Sequence, residues 1–412
     1  MIDKEVDVAI IGGGPAGMAA ALAARKAGVE DILLIERNES LGGILNQCIH
    51  EGFGVEIFNE VLTGPEYMQR FIDKIEKQEI PHLLDSMVID ISKDKELVIA
   101  SESGLHRIKA KAIILAMGAR ERTRGQIGTP GSRPAGVYTA GAAQNFINLM
   151  NLMPGKRVVV LGSGDIGLIT ARRLTLEGAK VLAVVEILPY SSGLPRNITQ
   201  CLEDYEIPLY LKHTVTEIKG NKRVESISIA EVDDKWCHVP GTEREFDCDT
   251  LLLSVGLIPE NELSRNAGIV LDPVTGGPRV NENLETSVEG IFACGNSLHV
   301  HDIVDFVTME GDCVGIQAAN FVKGKVCGDG GIDISAGNGV GYVLPQCVSG
   351  DEDVKLSLRV REPGRDRKLL VKDGDRIIKE IKKPKVNPAE MIKVGLKKDE
   401  LKGVKSLSIE LE

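Results

Sequence analysis

Two stretches of this 412-residue chain carry residue types at the spacing needed to hold a dinucleotide. In the first, the apolar run Val8-Ala9-Ile10-Ile11 enters Gly12-Gly13-Gly14-Pro15-Ala16-Gly17, and a second apolar run, Leu33-Leu34-Ile35, ends at Glu36. In the other, Val158-Val159-Val160-Leu161 enters Gly162-Ser163-Gly164-Asp165-Ile166-Gly167, and Ala183-Val184-Val185 ends at Glu186. Both read as G-x-G-x-x-G, and the acid follows the middle glycine by the same interval, Gly14 to Glu36 and Gly164 to Glu186. The first glycine permits a tight turn, the second lets backbone approach a pyrophosphate, and the third lets helix pack on strand. The phosphates then meet a helix N-terminus, where unpaired N–H groups and the helix dipole favour negative charge. The closing acid accepts hydrogen bonds from a ribose. Strand, helix and acid surround each copy, which two unrelated glycine turns would not provide. Two such sites imply two dinucleotides close enough to exchange electrons. Glu186 favours NAD over NADP: its carboxylate repels a 2′-phosphate, and Ile187, Leu188 and Pro189 supply no arginine.

The elements around these motifs repeat as well. Residues 5–36 read as strand, helix, strand, with an alanine-rich helix over 16–27 that can approach the sheet closely. A glycine-punctuated loop, residues 41–54 (LGGILNQCIHEGFG), follows. Thr63-Gly64-Pro65-Glu66 opens an amphipathic helix to about residue 77, with proline early and an acid in the first turn. Short strands lead to the apolar run 112–119, and the run 250–256 resembles it, closing a second unit that starts near 155. Residues 290–296 form a third strand-to-glycine junction, ahead of a helix over 304–323. The glycine-rich segment 324–339 reads as a linker, and alternation such as Val354-Lys355-Leu356-Ser357-Leu358 predicts a small β-rich domain after it.

A chain of this length is expected to form two or three domains. A net charge of −11 and 4% aromatic residues argue against nucleic acid and anionic lipid as general partners. Residues 365–405 carry 14 basic and 7 acidic side chains, read as a solvated face. No signal region or membrane-length apolar run is visible, and eight cysteines are scattered without a C-x-x-C pair, as in a soluble cytoplasmic protein. Iron–sulfur ligation by this chain alone is not expected.

In their order, these motifs resemble the two-dinucleotide-binding flavoprotein superfamily that includes thioredoxin and glutathione reductases, over about residues 1–330. The resemblance implies an α/β fold of two Rossmann-like domains, the NAD domain (120–264) inserted in the FAD domain (1–119 and 265–330), with the β-rich domain at 333–412. It assigns FAD to Gly12, Gly14, Pro15, Ala16, Gly17, Glu36, Arg37, Gly43, Gln47, Ala116, Gly118 and Asn296, and NAD to Gly162, Gly164, Asp165, Ile166, Gly167 and Glu186. Hydride transfer between stacked nicotinamide and flavin then needs no side-chain acid or base. Three departures stand out. No C-x-x-C lies between 150 and 260, only Cys48 occupies the loop where glutathione-type enzymes carry a cysteine pair, and Asn296 replaces the usual acid.

More narrowly, segments 41–54 and 290–305 resemble a bacterial flavoprotein subunit encoded beside an anaerobic-type glycerol-3-phosphate dehydrogenase. Relatives include subunits of dye-linked proline dehydrogenase, opine oxidase and hydrogen cyanide synthase. This resemblance implies a second FAD subunit that oxidises the carbon substrate, with glycerol 3-phosphate expected, and a small cysteine-rich subunit. Two other readings stay open: a self-sufficient NADH-dependent reductase of a small disulfide, quinone or oxygen acting through Cys48, and a non-catalytic FAD-retaining scaffold.

Cys48 and His50 are the catalytic candidates, His50 serving to lower the thiol pKa; the alternative is a packed thiol with no chemical role. His299, His301, Asp302 and Asp305 follow the third junction, where the resemblance places a helix start against the flavin. His299-Val300-His301 with Asp302 also has the donor types of a metal site. The expectation is no metal, with these side chains positioning flavin or packing at a subunit contact.

Overall fold

The computed structural model describes residues 4–325 and 331–412. The chain divides into two compact units, one of residues 1–119 and 259–412, the other Arg120–Ile258. The second unit thus closes before residue 264, because helix Glu262–Asn266 packs beside strand Met87–Ile91 of the first.

In the first unit, strand Lys4–Ile11 lies between Ile32–Ile35 and Gly104–Leu115, parallel to both, with His82–Leu83 outside Ile32–Ile35. Ile291–Ala293 pairs parallel to Gly104–Leu115. Residues such as Val8, Ile10, Ile32 and Leu34 are buried because helices or loops cover both faces, which explains their near-continuous apolar runs. Helix Gly64–Lys77 begins with a full capping box between Thr63 and Glu66 and buries Tyr67, Phe71 and Ile75 along one stripe. Helix Val304–Val322 crosses helix Pro15–Lys26 at backbone contact: a Cβ on Gly311 would strike the Ala16 carbonyl, and one on Gly315 the Ala20 carbonyl. Small residues on both helices permit that approach.

The second unit has a five-stranded parallel sheet in the order Val137–Thr139, Thr250–Leu253, Arg157–Leu161, Lys180–Glu186, Leu209–Leu211. An antiparallel sheet of His213–Gly220, Val224–Glu231 and Arg244–Asp247 accompanies it. In both units the glycine motif follows a central strand flanked by crossovers running in opposite directions. This is the switch point at which open α/β sheets bind ligands.

Residues 331–412 build two sheets around their own core, which includes Ile334, Leu356, Leu358, Val394, Leu407 and Ile409. Segment 324–339 is not wholly a linker. Ile332–Ala336 is a strand pairing parallel with Ser406–Leu411, its short alternation masked by surrounding glycines; residues 326–330 lie outside the described residues. Within the first unit this domain is tied on by Gln346 Oε1, which accepts from Val280 N at 2.9 Å, and by Glu282, which accepts from Ser349 N at 2.8 Å. Among the described residues, no helix is long and apolar enough to cross a membrane.

Candidate functional site

The first glycine turn is built by close backbone approach. Gly12 has φ +109°, a conformation that side chains disfavour, and a Cβ there would meet the Ala116 carbonyl across the switch point. A Cβ on Gly17 would strike the Gly12 carbonyl, so the third glycine lets the helix close on the turn. Gly14 has open space where a Cβ would stand. It is the N-cap of helix Pro15–Lys26, Pro15 occupies the first turn, and no acid is present there. The helix therefore presents backbone N–H groups and no opposing charge to an anion. Glu36 is buried, its Oε2 accepting from Gly13 N at 2.7 Å and its Oε1 from Asn38 N at 2.8 Å. Arg37 is exposed beside it.

The loop after Glu36 folds onto this turn. Gly42 N donates to the Gly13 carbonyl, and Gly43 sits so close to Gly14 that a Cβ would lie 3.2 Å from its Cα. Gln47 is buried, in the short helix Gly43–Gln47. Gly118 has φ +73° and its carbonyl accepts from Glu260 N. The structure does not support a thiolate at Cys48. Burial pushes its pKa up to about 12, and Sγ donates to the Ile44 carbonyl at 3.4 Å. The His50 ring packs on Phe53 at 5.0 Å. Ile44 (61% exposed), Val55 (48%) and Val61 (62%) leave an apolar fringe on this loop region.

The second turn repeats the plan. Gly162 has φ +99°, and a Cβ there would meet the Ser254 carbonyl; Gly167 closes on the same segment. Glu186 Oε2 accepts from Ser163 N at 2.9 Å and Oε1 from Leu188 N at 3.0 Å. Two hydroxyls, Ser163 at 2.5 Å and Ser192 at 3.2 Å, add to Oε2. Motif reading missed these two hydroxyls on Glu186, although Ser163 stands inside the motif. Gly164 is the N-cap of helix Asp165–Leu176, and Ile166 lies in its first turn. Asp165 Oδ1 accepts from Leu194 N at 2.8 Å and Asn197 Nδ2 at 2.6 Å, tying the acid to the segment after the strand.

At the third junction Asn296 Oδ1 accepts from His301 N at 3.0 Å. His299 and His301 come together, with ring centroids 4.2 Å apart. Asp302 does not join them, because Met391 N donates to its Oδ2 and Arg359 lies 3.6 Å away. Asp305 turns to the loop and accepts from Gly54 N at 3.2 Å. The carboxylate that meets the histidines is Glu310, in the second turn of helix Val304–Val322, which sequence reading missed. Its only sequence signal is a glutamate nine positions beyond the His-x-His pair.

Residues 6–309 match the family described as pyridine nucleotide-disulphide oxidoreductase. The chain belongs to that family. It is accordingly an oxidoreductase, and the family uses FAD and NAD(P)H. Thioredoxin reductase of Bacillus subtilis is 29% identical over 315 residues, 75% of this chain and 92% of the relative. In fold, the chain is similar to Lactococcus lactis thioredoxin reductase, with TM-score 0.64 and 22% identity over 77% of this chain and 99% of that one. It is also similar to L-proline dehydrogenase from P. horikoshii, with TM-score 0.53 and 22% identity over 76% of this chain and 55% of that one.

The two turns fit the family's cofactors. The first, open at Gly14 and without an acid in the helix's opening turn, suits the diphosphate of FAD, with Glu36 at the ribose. The second suits a nicotinamide dinucleotide, Glu186 being held as Glu36 is. Among the described residues no cysteine is in a disulfide, and Cys48 alone occupies the loop.

Proposed function

We propose that this chain relays electrons between NAD(H) and a partner flavoprotein and does not itself act on a carbon substrate or a disulfide. The carrying observation is the contrast between two well-formed dinucleotide turns and a buried thiol at Cys48 with a pKa near 12. A thiol that stays protonated is a poor nucleophile. FAD, when bound, supplies the two-electron carrier; the chain's own residues bind, orient and exclude water. Glu36 and the first turn hold one dinucleotide, Glu186 and the second turn the other. The carboxylate at Glu186 selects NAD over NADP by repelling a 2′-phosphate.

The exposed Ile44, Val55 and Val61 flanking the first turn support a partner that covers that loop. We take the partner to be a second FAD subunit that oxidises glycerol 3-phosphate, accompanied by a small cysteine-rich subunit, in the cytoplasm. The test is reconstitution with an FAD subunit of the anaerobic glycerol-3-phosphate dehydrogenase type. Glycerol-3-phosphate-dependent NAD reduction should require both subunits. Brisk NADH-dependent turnover of a small disulfide by this chain alone would favour the self-sufficient reductase instead.

A further inference from the structure

The third junction brings two imidazoles and a carboxylate together. His301 N–H donates to Asn296 Oδ1, which identifies that atom as the amide oxygen. His301 Nδ1 lies 3.3 Å from the same oxygen, so Nδ1 is the ring's donor there and Nε2 is the ring nitrogen turned toward Glu310. His301 Nε2 lies 3.5 Å from Glu310 Oε1, and His299 Nε2 lies 3.1 Å from the same oxygen. The three ligand atoms lie within 4.8 Å of one another.

We propose that His299, His301 and Glu310 form a binding site for a divalent first-row transition metal, Zn²⁺ or Fe²⁺. Two imidazoles and a carboxylate are the donor set of three-ligand zinc sites and of non-haem Fe²⁺ sites. Metal–ligand bonds of about 2.0–2.2 Å place neighbouring donors roughly 3.0–3.4 Å apart. The nitrogen–oxygen separations of 3.1 and 3.5 Å need only a small adjustment.

The surroundings orient each ligand as metal sites require. His301 Nδ1 is anchored on Asn296, and His299 Nδ1 lies 3.2 Å from the Tyr342 hydroxyl, which can donate or accept. Glu310 Oε2 accepts from Gly295 N at 2.6 Å, leaving Oε1 for the ion. Burial lowers the His299 pKa to about 4. Burial acts to raise Glu310, but the two histidines outweigh it and hold the carboxyl well below its usual range. The Glu310 side chain keeps 15% exposure, an opening for the ion and for water in the remaining position. A bound ion would join the strand end to helix Val304–Val322 and, through Tyr342, to the C-terminal domain.

The test uses the full chain, stripped with a chelator and dialysed against Zn²⁺ or anaerobic Fe²⁺. Plasma mass spectrometry should find about one ion per chain, and the ion should raise the melting temperature by mass action. Glu310→Gln and His301→Gln keep similar size and should each weaken binding by at least about 10-fold. His82→Ala, outside the cluster, should leave binding unchanged. Wild-type protein that retains neither ion and shows no melting shift overturns the proposal without reliance on any variant. Retention undiminished in a folded Glu310→Gln/His301→Gln double variant overturns it equally.

Discussion

Glu36 and Glu186, in separate sheets, are held by the same pair of backbone donors. Each Oε2 accepts from the residue between the first two motif glycines, Gly13 or Ser163, and each Oε1 from the residue two positions on, Asn38 or Leu188. Backbone donors fix both carboxylates before any ligand arrives, so the ribose meets an oriented acceptor. This preorganisation reduces the ordering cost of binding.

The charge at Glu186 should decide coenzyme choice. Wild-type protein should use NADH with a kcat/KM at least about 10-fold above that for NADPH, a difference of about 1.4 kcal/mol. Glu186→Gln should narrow the gap by weakening NADH and relieving repulsion of the 2′-phosphate. Equal wild-type efficiencies would remove the assignment.

Ser163 distinguishes the second turn from the first. Its buried hydroxyl donates to Glu186 at 2.5 Å, and hydrogen bonds to charged groups contribute about 1.5–3 kcal/mol. Ser163→Ala should therefore lower the melting temperature and weaken NADH binding together. A variant with wild-type melting and NADH affinity would show that the backbone N–H suffices.

Cys48 should be chemically quiet. With its pKa near 12 against an ordinary 9, alkylation by iodoacetamide should be slow at neutral pH and accelerate only under strongly alkaline conditions. The linkage has a definite sign. Between pH 9 and 12 the unfolded chain has lost the thiol proton that the folded chain retains, so the Cys48 contribution to stability falls as pH rises through that window. Rapid labelling of Cys48 at neutral pH, followed by peptide mass spectrometry, would contradict this reading.

Gly311 tests the helix crossing behind the first turn. Gly311→Val places side-chain atoms against the Ala16 carbonyl and should cost about 1–3 kcal/mol or more, with loss of bound FAD as the helix is displaced. Chemical denaturation measures the first effect and the flavin-to-protein ratio the second.

The sequence made the paired turns, their acids and the Thr63 cap legible because those features depend on local spacing. The crossing of Ala16 on Gly311 was half visible, as an alanine-rich helix without its mate. The Glu310 cluster was hidden because its members meet only when helix Val304–Val322 folds back over the strand end. The sequence suggested Asp302 instead, the nearer acid, which Arg359 and Met391 draw into the C-terminal domain interface. His50 looked like a partner for Cys48 by proximity along the chain, yet its ring packs on Phe53. The strand Ile332–Ala336 was obscured by glycines, and one of its two partners, Ser406–Leu411, lies at the far end of the chain.

The most direct test of the relay is anaerobic titration of the isolated, FAD-loaded protein with NADH, for wild type and Cys48→Ser side by side. The account predicts complete bleaching of the flavin absorbance in both, at similar rates, with no turnover of a small disulfide afterwards. No bleaching by NADH, or bleaching lost in Cys48→Ser, would contradict it.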